Sequence, residues 1–297
     1  MKIGIPRSFV YYYFKDFWIS FFNFLNIDVI LSPKTNKEIM DLGLKYSTDE
    51  MCLSLKNYIG HVAYLQDKCD YILVPRVANY GIKNQTCTNF LALYDIINNL
   101  FENKILNYNI DLNNNEDELF GLIKSLKELK IGKKDIVKAY RYAKEKSEEI
   151  KLKKISYNLR NLKGDKKKIL IVGHPYNIYD EYIGKPIIDI IKTFDVNIIY
   201  SDLFDCFDKS KKYSKGVYWK YSKENISSIV KSESQIDGII FISAFPCGLD
   251  SLVNELLFRK LRKPFINLII DDIDSLAGFQ TRIESFIDIL NQKINKE

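Results

Sequence analysis

Short runs of apolar residues alternate along the chain with stretches in which apolar positions recur at three- and four-residue spacing. Continuous apolar runs predict strands buried on both faces, and the wider spacing predicts amphipathic helices. KIGIPR (residues 2–7), DVILSP (28–33) and YILVPR (71–76) read as strands, with helices over 11–25 and 36–46 between them. The pattern restarts with KILIVGHP (168–175), VNIIYSD (196–202), GIIFISAFP (238–246) and PFINLIID (264–271), separated by helices near 183–194, 222–232 and 249–261. A last amphipathic helix is expected over about residues 276–294. Strands alternating with helices indicate βαβ units and parallel sheets. The expected fold class is therefore α/β, with two Rossmann-like, doubly wound domains.

A different texture separates the two halves. NNNEDELFGLIKSLKEL and KKDIVKAYRYAKEKSEEIKLKKISYNLRNL are charged and amphipathic, with Ile136, Ala139, Tyr140 and Ala143 at helical spacing. The expected organisation is a first α/β domain over 1–102, a helical connector over 103–166 with a solvated charged face, and a second α/β domain over 167–297.

Composition narrows the function. The 297 residues are 46% hydrophobic and 28% charged, which suits a globular protein with a full core. The net charge of +6 is spread along the chain, so no clustered basic face points to nucleic acid. The N-terminal MKIGIPRSFVYYYF lacks the apolar core of a secretory signal, and no run is long enough to span a bilayer. A cytoplasmic protein with reduced cysteines is expected, with no membrane and no nucleic-acid partner. Neither GxGxxG nor GxxxxGK[ST] occurs, which argues against a standard dinucleotide or P-loop site.

The chemistry then rests on cysteines. Cys52, Cys87 and Cys247 each precede an expected helix, and Cys87 and Cys247 follow strands. Ligands bind at the carboxyl edge of open parallel sheets, where strand meets helix. A helix N-terminus lowers a thiol pKa and favours nearby anionic charge. Three thiolates held this way suit a soft metal site, either an iron–sulfur cluster or zinc, with one coordination position open. Cys69 and Cys206 read as small buried apolar residues. Of the two histidines, His174 lies at a strand end with Tyr176, Tyr179 and Asp180 and is the candidate proton-transfer group, whereas His61 reads as structural. Arg7 and Arg76 follow prolines at strand ends and are candidates for binding an anionic substrate group. Lys56, one turn beyond Cys52, would offset cluster charge.

IGIPRSFVYYYFKDFW, LSPKTNKEIMDLG, DEMCLSLKNYIGH, YILVPR, TCTNFLALYDII, VGHPYNIYD, CGLDSL and FQTRIESFIDIL occur in order. Together they resemble the uncharacterised domain that accompanies CoA-substrate-specific enzyme activases, a relative of the iron–sulfur subunits of 2-hydroxyacyl-CoA dehydratases. The resemblance implies a [4Fe–4S] cluster between two Rossmann-like domains, held by Cys52, Cys87 and Cys247 with one iron open to water or substrate. It also implies an ATP-dependent activase as electron donor and an acyl-CoA or other small molecule as substrate, and it leaves open a homo- or heterodimer. In such dehydratases a single low-potential electron permits an otherwise difficult elimination.

The sequence departs from that pattern in two places. Where the family usually has Cys-Pro-Lys-Phe this chain has CTNF, with Thr88 and Asn89 after Cys87. Where it usually has Asp-Glu-His-Thr-Gly-Glu-Ala-Gly this chain has DDIDSLAG, with Ile273 and Leu276 at the histidine and second glutamate positions. Cluster binding is therefore a firmer expectation than turnover. A non-catalytic cluster-holding accessory protein and a zinc-stabilised binding protein are the alternatives.

Overall fold

The computed structural model describes residues 1–102, 104–205, 208–272 and 276–292. The chain divides into two compact units, Met1–Leu152 with Tyr218–Lys220, and Lys153–Val217 with Tyr221–Glu297. Each is an α/β unit built on a parallel sheet, as the strand and helix alternation predicts. Among the described residues no helix is long and apolar enough to cross a membrane.

The first unit runs β1 (Lys2–Ile5), α1 (Tyr11–Phe24), β2 (Asp28–Leu31), α2 (Lys37–Tyr46), α3 (Leu53–Leu65), β3 (Tyr71–Leu73), β4 (Arg76–Asn79), α4 (Thr88–Leu91), α5 (Leu93–Leu100), β5 (Ile105–Leu106), β6 (Asn109–Asp111), α6 (Glu118–Lys127) and α7 (Lys133–Leu162). The sheet order is β2-β1-β3-β5, all parallel, and β4 pairs with β6 in a separate parallel ribbon. Ile3, Ile5, Ile72 and Leu73 are fully buried, as continuous apolar strands require. The inward stripe of α1 is Phe14, Phe17, Trp18, Phe21 and Phe22, at helical spacing. Trp18 Nε1 donates to the Tyr108 hydroxyl at 2.7 Å, so the buried indole keeps a polar partner.

The stretch 103–166 is not wholly helical. Leu106, Tyr108 and Ile110 are buried and alternate with Asn107 and Asn109, the two-residue period of a strand. This alternation forms β5 and β6, so the first sheet extends past residue 102. Ile136, Ala139 and Ala143 do form a buried stripe on α7. The division between the units falls within α7, after Leu152.

The second unit holds β7 (Lys167–Gly173), α8 (Pro175–Ile178), α9 (Lys185–Ile191), β8 (Val196–Tyr200), α10 (Lys220–Ser232), β9 (Gly238–Ala244), α11 (Gly248–Phe258), β10 (Phe265–Ile270) and α12 (Leu276–Gln292). Its order is β10-β9-β7-β8, again parallel. Each sheet therefore reverses direction of winding beside its first strand, between β1 and β3 and between β7 and β9. The crevice at such a reversal, on the carboxyl edge, is where ligands bind in open α/β sheets.

Two features fix α3, the helix that Cys52 opens. Helices α2 and α3 meet backbone to backbone: a Cβ on Gly60 would lie 2.0 Å from the Ile39 carbonyl oxygen, and one on Gly43 would lie 2.2 Å from that of Lys56. His61, fully buried on α3, holds the loop that follows β2 at two points: Nδ1 lies 2.8 Å from Ser32 Oγ and Nε2 3.0 Å from Thr35 Oγ1. Arg7 N–H donates to the same Ser32 oxygen at 2.7 Å, and Asn57 Nδ2 donates to Thr35 Oγ1 at 3.3 Å. Burial, aided by the Arg7 charge, pushes the His61 pKa down to about 3.

These observations predict two stability effects. Gly60→Ala forces the helices apart and should cost about 2–3 kcal/mol in urea unfolding; an unchanged midpoint would contradict the close approach. His61 is neutral when folded and protonates more readily when unfolded. Its contribution is whole above about pH 6.5 and is lost as pH falls towards about 3. Relative to His61→Gln, wild-type stability should therefore fall through that window by up to about 1.4 kcal/mol per pH unit. Parallel pH profiles for the two proteins would show that His61 is not the buried neutral base described.

Candidate functional site

All three candidate cysteines occupy the same structural position. Cys52 is the N-cap of α3, Cys87 of α4 and Cys247 of α11. Each has extended backbone angles, and each carbonyl accepts the first hydrogen bonds of its helix. Each is partly exposed and outside any disulfide, and each sulfur lies close to a helix N-terminus.

In the first unit the structure brings Cys52 and Cys87 together through Asn89. This residue lies in the first turn of α4, two positions after Cys87, and its Nδ2 donates to Cys52 Sγ at 3.4 Å. The α4 turn is anchored by Phe90, which is 1% exposed and packs on Phe9 with ring centroids 4.3 Å apart. Lys56, one turn into α3, is buried at 6% exposure. Arg7 sits just past the end of β1, half-buried, with its charge near His61 and Tyr11.

Arg76 is held otherwise. It opens β4, and its guanidinium pairs with Asp95 of α5 at 2.6 Å and lies over the Tyr94 ring. Cys69 lies at the opposite, amino edge of the sheet, where Asp70 N–H bonds the Lys2 carbonyl. Its thiol faces the Leu65 carbonyl at 3.6 Å, and burial pushes its pKa up. Both features suit a protonated structural thiol. Cys206 and Ile273 lie outside the described residues.

In the second unit His174 follows the last residue of β7 and caps α8. Its Nε2 lies 3.1 Å from Asp250 Oδ1, with the imidazole stacked on Tyr176 at 4.9 Å and edge-on to Tyr221 at 6.3 Å. His174 and Asp250 are 7% and 8% exposed. Asp250 also links the histidine to a candidate ligand, since its backbone N–H donates to Cys247 Sγ at 3.4 Å. The second carboxylate oxygen, Oδ2, is buried with no hydrogen-bond partner among the described residues. A buried carboxylate oxygen without a donor marks a place for a proton, a water or a ligand N–H. Asp180, fully buried, instead braces its own turn by accepting from Tyr182 and Ile183 N–H at 3.0 and 3.2 Å. Tyr179 donates its hydroxyl to Asp202 at 2.8 Å.

Asn89 and Asp250 were the residues that reading the sequence missed. Asp250 carries a faint signal, an acid three positions after a helix-capping residue. Among the described residues no group of three or more His, Cys, Asp or Glu side chains is arranged to hold a metal ion. The donor chemistry is of the soft kind that iron–sulfur and zinc sites use: partly exposed thiols at helix N-termini, two of them receiving N–H bonds at sulfur.

Comparison with curated proteins finds no match. Among solved structures, the chain is similar to the Zn(II)-bound ZnuA-like domain of Streptococcus pneumoniae AdcA, at 11% identity over 98% of each chain and a TM-score of 0.27. A likeness of that size carries no argument about fold or metal. The family comparison is stronger: residues 2–204 match the CoA enzyme activase uncharacterised domain. The matched span takes in Arg7, Cys52, Arg76, Cys87 and His174 and ends before Cys247. More than half of the sequence lies in that match, and the chain belongs to the CoA enzyme activase uncharacterised domain family.

Proposed function

We propose that this protein is an iron–sulfur protein of the 2-hydroxyacyl-CoA dehydratase type, holding a [4Fe–4S] cluster through Cys52, Cys87 and Cys247. The observation that carries the reading is the shared position of the three cysteines, each the partly exposed N-cap of a helix and outside any disulfide. Helix N-termini favour the thiolate form that ligation needs. When bound, such a cluster supplies single electrons and an iron that polarises a substrate oxygen.

The remaining roles belong to the chain's own residues. Arg7, half-buried at the end of β1, supplies positive charge for an anionic group such as the phosphates of an acyl-CoA. Arg76 is committed to Asp95 and serves first to fasten α5. His174 and Asp250 form the proton-handling pair, in which the carboxylate orients the imidazole. Membership of the activase-associated family supports an activase as partner, and in this reading that partner is ATP-dependent and donates the electrons. Ile273 and Leu276, where related sequences carry histidine and glutamate, favour a second reading in which the protein holds or relays a cluster without turning over substrate.

Anaerobically prepared protein should be brown, with about four irons and four sulfides per chain. Serine at Cys52, Cys87 or Cys247 should each lower iron content sharply, because a hard alkoxide replaces a soft thiolate. Serine at Cys69 should leave it unchanged. Colourless protein with stoichiometric zinc after reconstitution, or an equal loss at Cys69, would overturn the assignment.

A further inference from the structure

We infer that Asn89 sets the reduction potential of the cluster, by donating its side-chain N–H to the Cys52 sulfur. The inference rests on the cluster reading above, with Cys52 as a ligand. The geometry is direct: Asn89 Nδ2 lies 3.4 Å from Cys52 Sγ, within the reach of an N–H···S hydrogen bond. The Cys52 sulfur makes no capping bond with its own helix, in contrast to Cys247, whose sulfur accepts from Asp250 N–H. The donor to Cys52 thus comes from elsewhere, on the helix start that also presents Cys87.

The placement is rigid. Asn89 is half-buried and sits directly before Phe90, whose ring is locked between Phe9, at 4.3 Å, and Tyr13, at 6.0 Å. One short turn therefore carries a thiolate and the donor to a second thiolate. A dipole fixed in this way acts on charge at the sulfur with little reorganisation.

The sign follows from charge. One-electron reduction adds a negative charge that spreads onto the ligand sulfurs. An N–H pointed at sulfur stabilises the reduced form more than the oxidised form, and so raises the potential. An amide is neutral, so its effect is smaller than that of a lysine ammonium at the same place. Asn89 gives this chain a potential between those of an uncharged, donor-free neighbour and a cationic one.

The test is a redox titration, followed by EPR with dithionite as reductant, of wild type and three variants, with iron and sulfide measured for each. Asn89→Leu removes the donor at similar volume, Asn89→Asp adds negative charge and Asn89→Lys adds positive charge. The expected order of midpoint potentials, from highest, is Lys, Asn, Leu, Asp. A contact that only props Cys52 would alter iron occupancy without producing an order that follows charge. If wild type loads its cluster and the loaded Leu and Asp variants share its potential, the inference fails and the cluster reading stands. If wild type never loads, the cluster reading fails first and the inference falls with it. Should the Leu and Asp variants lose iron, the second measurement uses reduced wild type labelled with 15N-asparagine. Electron–nuclear double resonance should then show a 15N coupling that disappears in Asn89→Lys, and its absence in wild type would overturn the inference.

Discussion

Parallel strand pairing is the constraint on which the rest of this structure depends. Strands that all run one way leave their sheet by the same edge, and each must turn there into the helix that returns the chain. Both sheets here obey that rule with the same winding order, so helix N-termini collect at their carboxyl edges. Cysteines placed as N-caps in such a frame share one environment although 35 or more residues separate them in sequence. The sulfurs of Cys52 and Cys247 accept N–H bonds, and the contrasting Cys69, at the amino edge, meets a carbonyl and has its pKa raised by burial.

The helix starts that carry these cysteines are held in place by packing and hydrogen bonds. In the first unit that work falls to a glycine contact between α2 and α3 and to a histidine that serves structure. Gly43 and Gly60 let two backbones touch, and His61 ties α3 to Ser32 and Thr35 in the loop that follows β2. Burial keeps the imidazole neutral, so it accepts from one partner and donates to the other without a counter-ion. His174 stands beside the Asp250 carboxylate, whose second oxygen has no hydrogen-bond partner among the described residues.

Much of this was legible in the sequence, for a physical reason. Strands buried on both faces need unbroken apolar runs, and β7 to β10 declare themselves in that way. The short β4, β5 and β6 did not, because two to four residues carry little periodicity; only the alternation of Leu106, Tyr108 and Ile110 marks β5 and β6. N-cap cysteines could be read from strand, turn and helix signals. Their partners could not, since the Asn89 contact with Cys52 and the Asp250 contact with His174 depend on which helix start meets which strand end. Arg76 shows the same limit: its position after a proline was visible, but its commitment to Asp95 on α5 was not.

The central claim is that three N-cap thiolates form a complete protein ligand set, leaving one iron without a protein ligand. Mössbauer and EPR spectra of 57Fe-loaded protein before and after mild oxidation test it most directly, because an iron without a protein ligand is the first to leave. The account predicts conversion to a three-iron cluster, with the lost iron restored by added ferrous iron and its spectrum altered by cyanide or an acyl-CoA. A cluster that resists oxidation to the three-iron form and ignores every added ligand would show a fourth protein donor and contradict the account.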